Sequence, residues 1–166
     1  MGLTHPELAR PLYHVWNLLL LDYDLGRVSR FWGKTLLYND RETTIEAEGS
    51  RGFQESLFDD EIRGASQLYL KRDLDEGEQR FLDEHYSHLS DTEMGALTEA
   101  LTIIHTGEMV PYLIMRYGFY EGHTAYRAEP IAIAFIFGLK SLEEIDSDFN
   151  GKLFELLTQH HNESTR

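Results

Sequence analysis

Apolar positions along the chain recur mostly at helical spacing. Leu8, Leu12, Val15, Trp16, Leu19 and Leu20 fall on one face of a helix. Pro6 and Glu7 suit its first turn, Thr4 or His5 its cap, and its end is expected near Asp24, before Gly26. Val28, Phe31, Trp32, Thr35 and Leu36 repeat that spacing, which predicts a second helix from about Gly26 to Leu37 and sets Trp16 and Trp32 on facing stripes of a helical hairpin.

Residues 38–58 break the pattern. Asn39-Asp40 is a turn signal, Thr43, Ile45 and Ala47 alternate, and Gly49 and Gly52 follow; a short strand, a hairpin with Leu36–Tyr38 and an ordered loop all fit. Helical spacing returns at Ile62, Ser66, Leu68, Leu70 and Leu74, and again at Phe81, Leu82, His85 and Leu89, with a start after Asp75 or Gly77. Ser90 with Glu93 forms a capping-box pattern and opens a helix through Met94, Leu97, Leu101 and Ile104, ending at Gly107. Pro111 suits the first turn of a helix over Met109–Phe119. Pro130 restarts regular structure, and Ile131–Phe137 reads as a buried helix in preference to a buried strand. Ser141 with Glu144 repeats the capping box, and a last helix starts at Asp148 or Asn150.

These elements predict a mainly α fold: a single-domain multi-helix bundle of about six to eight helices over residues 1–166, with at most a small β element near residues 36–48. A chain of 166 residues with 42% hydrophobic residues can bury roughly two thirds of its unfolded surface. The longest apolar run, Ile131 to Leu139, is far shorter than the ~20 residues of a bilayer crossing. The first residues lack the basic and apolar regions of a signal peptide, so a soluble, cytoplasmic protein with no membrane association is expected.

Charge narrows the partners. The net charge is −14, and residues 39–99 carry most of it, with six basic and 17 acidic side chains. Such a surface repels phosphate backbones, which argues against nucleic acid; it either attracts a basic protein partner or serves only to keep the protein soluble. With no cysteine, disulfides, thiolate metal sites and a cysteine nucleophile are excluded.

Candidate chemistry concentrates in one stretch, Arg116–Leu139. A polar, ring-rich turn there holds Arg116, Tyr120, Glu121, His123, Tyr126 and Arg127 between glycines and Pro130, and runs directly into the most apolar segment of the chain. Arg116 and Arg127 offer forked donors to an anion, and Tyr120 and Tyr126 offer hydroxyls and ring faces. In a catalytic reading, His123 is the general acid or base and Glu121 orients it. The expectation is therefore a binding protein that uses residues 116–127 for a small anionic or polar ligand, or an acidic face for a basic protein. The alternative is a small hydrolase- or lyase-like enzyme with His123 and Glu121 as its acid–base pair, with or without a metal. No Glu-x-x-His pair or His-Glu-x-x-His motif specifies a metal site, and no glycine-rich phosphate loop or nucleophile elbow occurs. The carboxylates at 59–61 and 73–78 fall where helix starts are expected.

Overall fold

The computed structural model describes residues 1–24, 30–56, 58, 63–120 and 127–158. It corrects the expectation of an all-α bundle. Helix α1 (His5–Asp24) is followed by three strands, β1 (Arg30–Tyr38), β2 (Arg41–Glu55) and β3 (Arg63–Lys71). Two helices, α2 (Glu76–His85) and α3 (Asp91–Thr102), lead to strand β4 (Ile103–Gly107). The chain then continues through α4 (Val110–Tyr117), α5 (Pro130–Ile136), α6 (Leu142–Asp148) and α7 (Leu153–Thr158). The strands form one antiparallel sheet in the order β1-β2-β3-β4, so the fold is mixed α/β.

Two of the expected helices are strands, and the physical reasons are local. Between β1 and β2, Asn39 and Asp40 both take positive φ (47° and 59°), the two-residue hairpin loop whose twist matches paired strands. Once that turn forms, Leu36 lies opposite Thr43 and Tyr38 opposite Arg41, and residues 30–37 of the run read as a helix over Gly26–Leu37 are strand, residues 26–29 lying outside the described residues. The Trp16–Trp32 helical hairpin disappears with it. Within the run from Ile62 to Leu74, residues 63–71 likewise form β3, with Ile45 opposite Leu70 and Ala47 opposite Leu68. The helix expected to reach Gly107 stops at Thr102, where Ile103 is extended (φ −123°, ψ 131°) and begins β4.

Burial alternates along most of the described strand positions. Leu36, Thr43, Ile45, Leu68, Leu70, Ile104 and Thr106 are buried, while their neighbours Thr35, Leu37, Thr44, Lys71 and Ile103 are exposed. The buried set joins Leu12, Leu97, Ile114 and Phe135 in one core, so the helices cover a single face of the sheet. On that face α1 lies along α4, and α3 lies against α5 and α7.

Helix boundaries agree with the capping signals. Ser90 and Ser141 close capping boxes with Glu93 and Glu144, and Asp75 does the same with Glu78 at the start of α2. The backbone N–H of Glu78, and secondarily Arg41, holds the Asp75 carboxyl below the usual carboxylate range. The expected last helix, from residue 148 or 150, begins later, at Leu153, because Asn150 and Gly151 take positive φ between α6 and α7.

Two buried polar locks tie the layers together. Arg72 is only 4% exposed; one guanidinium nitrogen donates to the Phe135 carbonyl at 2.9 Å, another pairs with Glu78, and the group sits 4.0 Å from the Phe135 ring centroid. Glu78 also accepts from the Asp75 N–H at 3.0 Å, and Arg41 of β2 reaches Asp75 at 2.9 Å. The end of β3, the start of α2 and the end of α5 are thereby joined. In the second lock the Tyr86 hydroxyl donates to Asp146 and accepts from the Leu153 N–H at 3.3 Å, linking α2 to α6 and α7. Burial, with the Asp146 carboxylate adding to it, pushes the Tyr86 hydroxyl far above its ordinary pKa, so it stays a proton donor.

Candidate functional site

The apolar run expected to floor the polar turn is buried, and residues 121–126 of the turn itself lie outside the described residues. Ile131 to Phe137 are all buried, and α5 is a helix, as its pattern suggested. Pro130 fills its first turn, where a missing N–H costs nothing. Glu129 is its N-cap, with a carboxylate oxygen 3.5 Å from the Ile131 N–H.

One wall of the site is the C-terminal turn of α4. Gly118 adopts φ +63°; its N–H bonds the Ile114 carbonyl at 2.9 Å, and the Phe119 N–H bonds Leu113 at 3.2 Å. This left-handed glycine ends the helix and turns the next residues back across it. Arg116, in the last turn, is exposed with no hydrogen-bond or ion-pair partner among the described residues. Tyr117 stacks on Phe58 at 4.1 Å between centroids, and Phe119 meets Phe58 edge-on at 5.5 Å. A guanidinium without a partner among the described residues is thus followed in the chain by a group of stacked rings.

Tyr120 is half-buried and bonded to a residue that sequence reasoning did not single out for the site. His5 Nδ1 lies 2.9 Å from its hydroxyl, across a separation of 115 positions. The contact is possible because α1 packs along α4 and the Cα of Gly118 leaves room for the imidazole. Burial, with Glu129 nearby, pushes the Tyr120 hydroxyl up to about 12, so it is protonated at neutral pH. Glu129 in turn lies 3.2 Å from Arg127. Tyr120 and Arg127 are therefore brought to one rim with His5 and Glu129. Glu121, His123 and Tyr126 lie outside the described residues, and with them the expected acid–base pair.

Glycine at position 118 is required twice over. A Cβ there would fall 2.7 Å from His5 Nε2, and the left-handed backbone strains any L side chain. Gly118→Ala is expected to cost about 1–2 kcal/mol in urea unfolding and to shift the His5 ring resonances. An unchanged midpoint would mean that the turn does not seat the imidazole.

The other described histidines lie against aromatic rings. His14 lies by Tyr38, His85 stacks on Phe81 at 4.0 Å and His88 lies near Tyr86. His105 stacks on Tyr69 at 4.0 Å and bonds Gln67 at 3.1 Å, and burial lowers its pKa. Among the described residues no group of three histidine or carboxylate side chains is placed to hold a metal ion, and no helix is long and apolar enough to cross a membrane.

Of the residues that sequence reasoning missed, Glu129 carries a weak signal as the residue before a helix-starting proline, and His5 carries none. Comparison with known families, curated proteins and solved structures finds no match to this chain.

Proposed function

We propose that this is a binding protein, and that its ligand is a small anionic or polar molecule held at the rim above α5. The observation that carries this reading is Arg116, an exposed guanidinium without a partner among the described residues, in the helix turn that leads into the Tyr117–Phe58–Phe119 rings and the Tyr120–His5 pair. Arginine presents five donors in a planar fork that matches a carboxylate or phosphate, and the ring faces suit a planar or sugar-like body. Tyr120 supplies a hydroxyl that stays protonated. Arg127 and Tyr126 complete the proposed binding set. The net charge of −14 disfavours nucleic acid as the ligand, and the lack of cysteine fits a cytoplasmic setting.

The test uses thermal-shift and calorimetric titration with citrate, inorganic phosphate, a hexose phosphate and an uncharged hexose. Arg116→Gln is expected to weaken binding of the preferred anion about tenfold or more, equivalent to the loss of one charged hydrogen-bonded contact. Because Arg116 is exposed, the melting temperature without ligand is expected to be unchanged. Saturable binding that survives Arg116→Gln would remove the rim from consideration, as would no binding by any of the four compounds.

A further inference from the structure

The helices cover one face of the sheet, and among the described residues no element covers the other. In register across the open face, Leu37 lies opposite Glu42; Thr35, Thr44, Lys71 and Ile103 form the next row, and Glu46, Tyr69 and His105 the one after. Leu37 is 63% exposed and Ile103 39%. An antiparallel sheet can leave one face in water, and that face is ordinarily polar; Leu37 and Ile103 are apolar exceptions on this one and give a partner two points to rest on.

Its charge says which partner. Each cation around the end of this face is already engaged within the chain: Lys71 by Asp73 at 3.2 Å, Arg41 by Asp75 at 2.9 Å, and Arg72 by Glu78. Asp40, Glu42 and Glu46 have no ion-pair partner among the described residues. The field offered outward is therefore negative, in the part of the chain that holds 17 of the 29 acidic residues. Beside Asp40 and Glu42 the face opens into a cleft of about 270 Å³, lined also by Thr35 and Thr44 and by Arg41, Lys71 and Arg72, the cations already engaged, with Asp73 and Asp75 among their partners.

From these observations we infer that the open sheet face docks a basic polypeptide segment whose aliphatic side chains rest on Leu37 and Ile103 and whose lysine or arginine enters the cleft beside Asp40 and Glu42. Strand spacing puts Leu37 and Ile103 roughly 15 Å apart across four strands, a span of four to five extended residues. A second copy of this chain is the wrong occupant, because face-to-face pairing would set the same three carboxylates against each other. Anionic lipid and nucleic acid are repelled for the same reason. The inference does not depend on the ligand rim, which uses none of these residues.

The test is an NMR titration of the labelled protein with an acetylated, amidated octapeptide of alternating lysine and valine, and with its glutamate–valine counterpart. Saturable shifts at Leu37, Glu42, Glu46, Tyr69 and Ile103 are expected with the lysine peptide alone. Leu37→Ser with Ile103→Ser leaves the net charge unchanged and is expected to weaken binding about tenfold. Glu42→Gln with Glu46→Gln should weaken it and flatten its salt dependence. Equal binding by the glutamate peptide would overturn the inference. So would shifts spread over α2 and α3 with the serine pair binding as tightly as the parent, which is charge attraction alone. Self-association without response to peptide would assign the face to a second copy and sink the inference as well. If the serine pair does not fold, the near-isosteric glutamine pair carries the same decision.

Discussion

Replacing Glu78 with alanine is expected to destabilise the protein by about 3–5 kcal/mol, one of the two largest effects foreseen for single substitutions. The cause is the charge left behind rather than the contact removed. Arg72 is 4% exposed, and without Glu78 its guanidinium keeps only the Phe135 carbonyl and the ring beneath it. The Asp75 N–H also loses its acceptor, so the start of α2 is weakened together with the ion pair. For a chain of this size the melting temperature should fall by roughly 10 °C or more.

The companion experiment replaces both partners, Arg72→Met with Glu78→Leu. Removing two buried charges together is expected to recover most of the loss, because the desolvation cost disappears with the pair. The Phe135 carbonyl keeps the Gly138 N–H at 3.1 Å and is not stranded. Urea unfolding of the single and double variants closes the cycle. A loss below about 1 kcal/mol for Glu78→Ala would place the pair among solvated ion pairs and end its role as a lock.

Phe135→Ala is the second large effect, at about 3–5 kcal/mol. Its side chain is fully buried within α5, among the largest in the core, so truncation leaves a cavity that seven consecutive buried residues are poorly able to fill. The ring has a second duty under the Arg72 guanidinium at 4.0 Å. Phe135→Leu restores most of the volume without the π face. Its cost is expected to shrink by about 0.5–2 kcal/mol in the Arg72→Met background, the range of a cation–π contact in a desolvated setting. Equal costs in both backgrounds would reduce Phe135 to packing alone.

How much of this was legible in the sequence depended on how local the deciding interaction is. The caps at Asp75, Ser90 and Ser141 involve residues three apart, and the helix starts read from them are observed. The burial of Ile131–Phe137 was readable because nothing polar interrupts it. The sheet was not, because Val28, Phe31, Trp32, Thr35 and Leu36 fit a helical face as well as a strand, and the choice between them rests on pairing with residues from another run. The turn at Asn39-Asp40 was the available signal. Recognising it as a hairpin with both residues at positive φ would have converted β1 and β2 together. At the site, Arg116, Tyr120 and Arg127 were readable as residue types. His5 was not, since its place beside Tyr120 follows from the docking of α1 on α4.

The Arg72 lock has a bearing on how the chain matures during synthesis. The three-stranded meander is complete by Lys71, yet the carbonyl that receives Arg72 is 63 positions further on, in Phe135. At a translation rate of roughly 5–20 residues per second, several seconds separate the two on the ribosome. Over that interval the nascent hairpins hold a guanidinium whose final acceptor has yet to be made. The sheet can therefore pair early, but it is fastened only when α5 arrives.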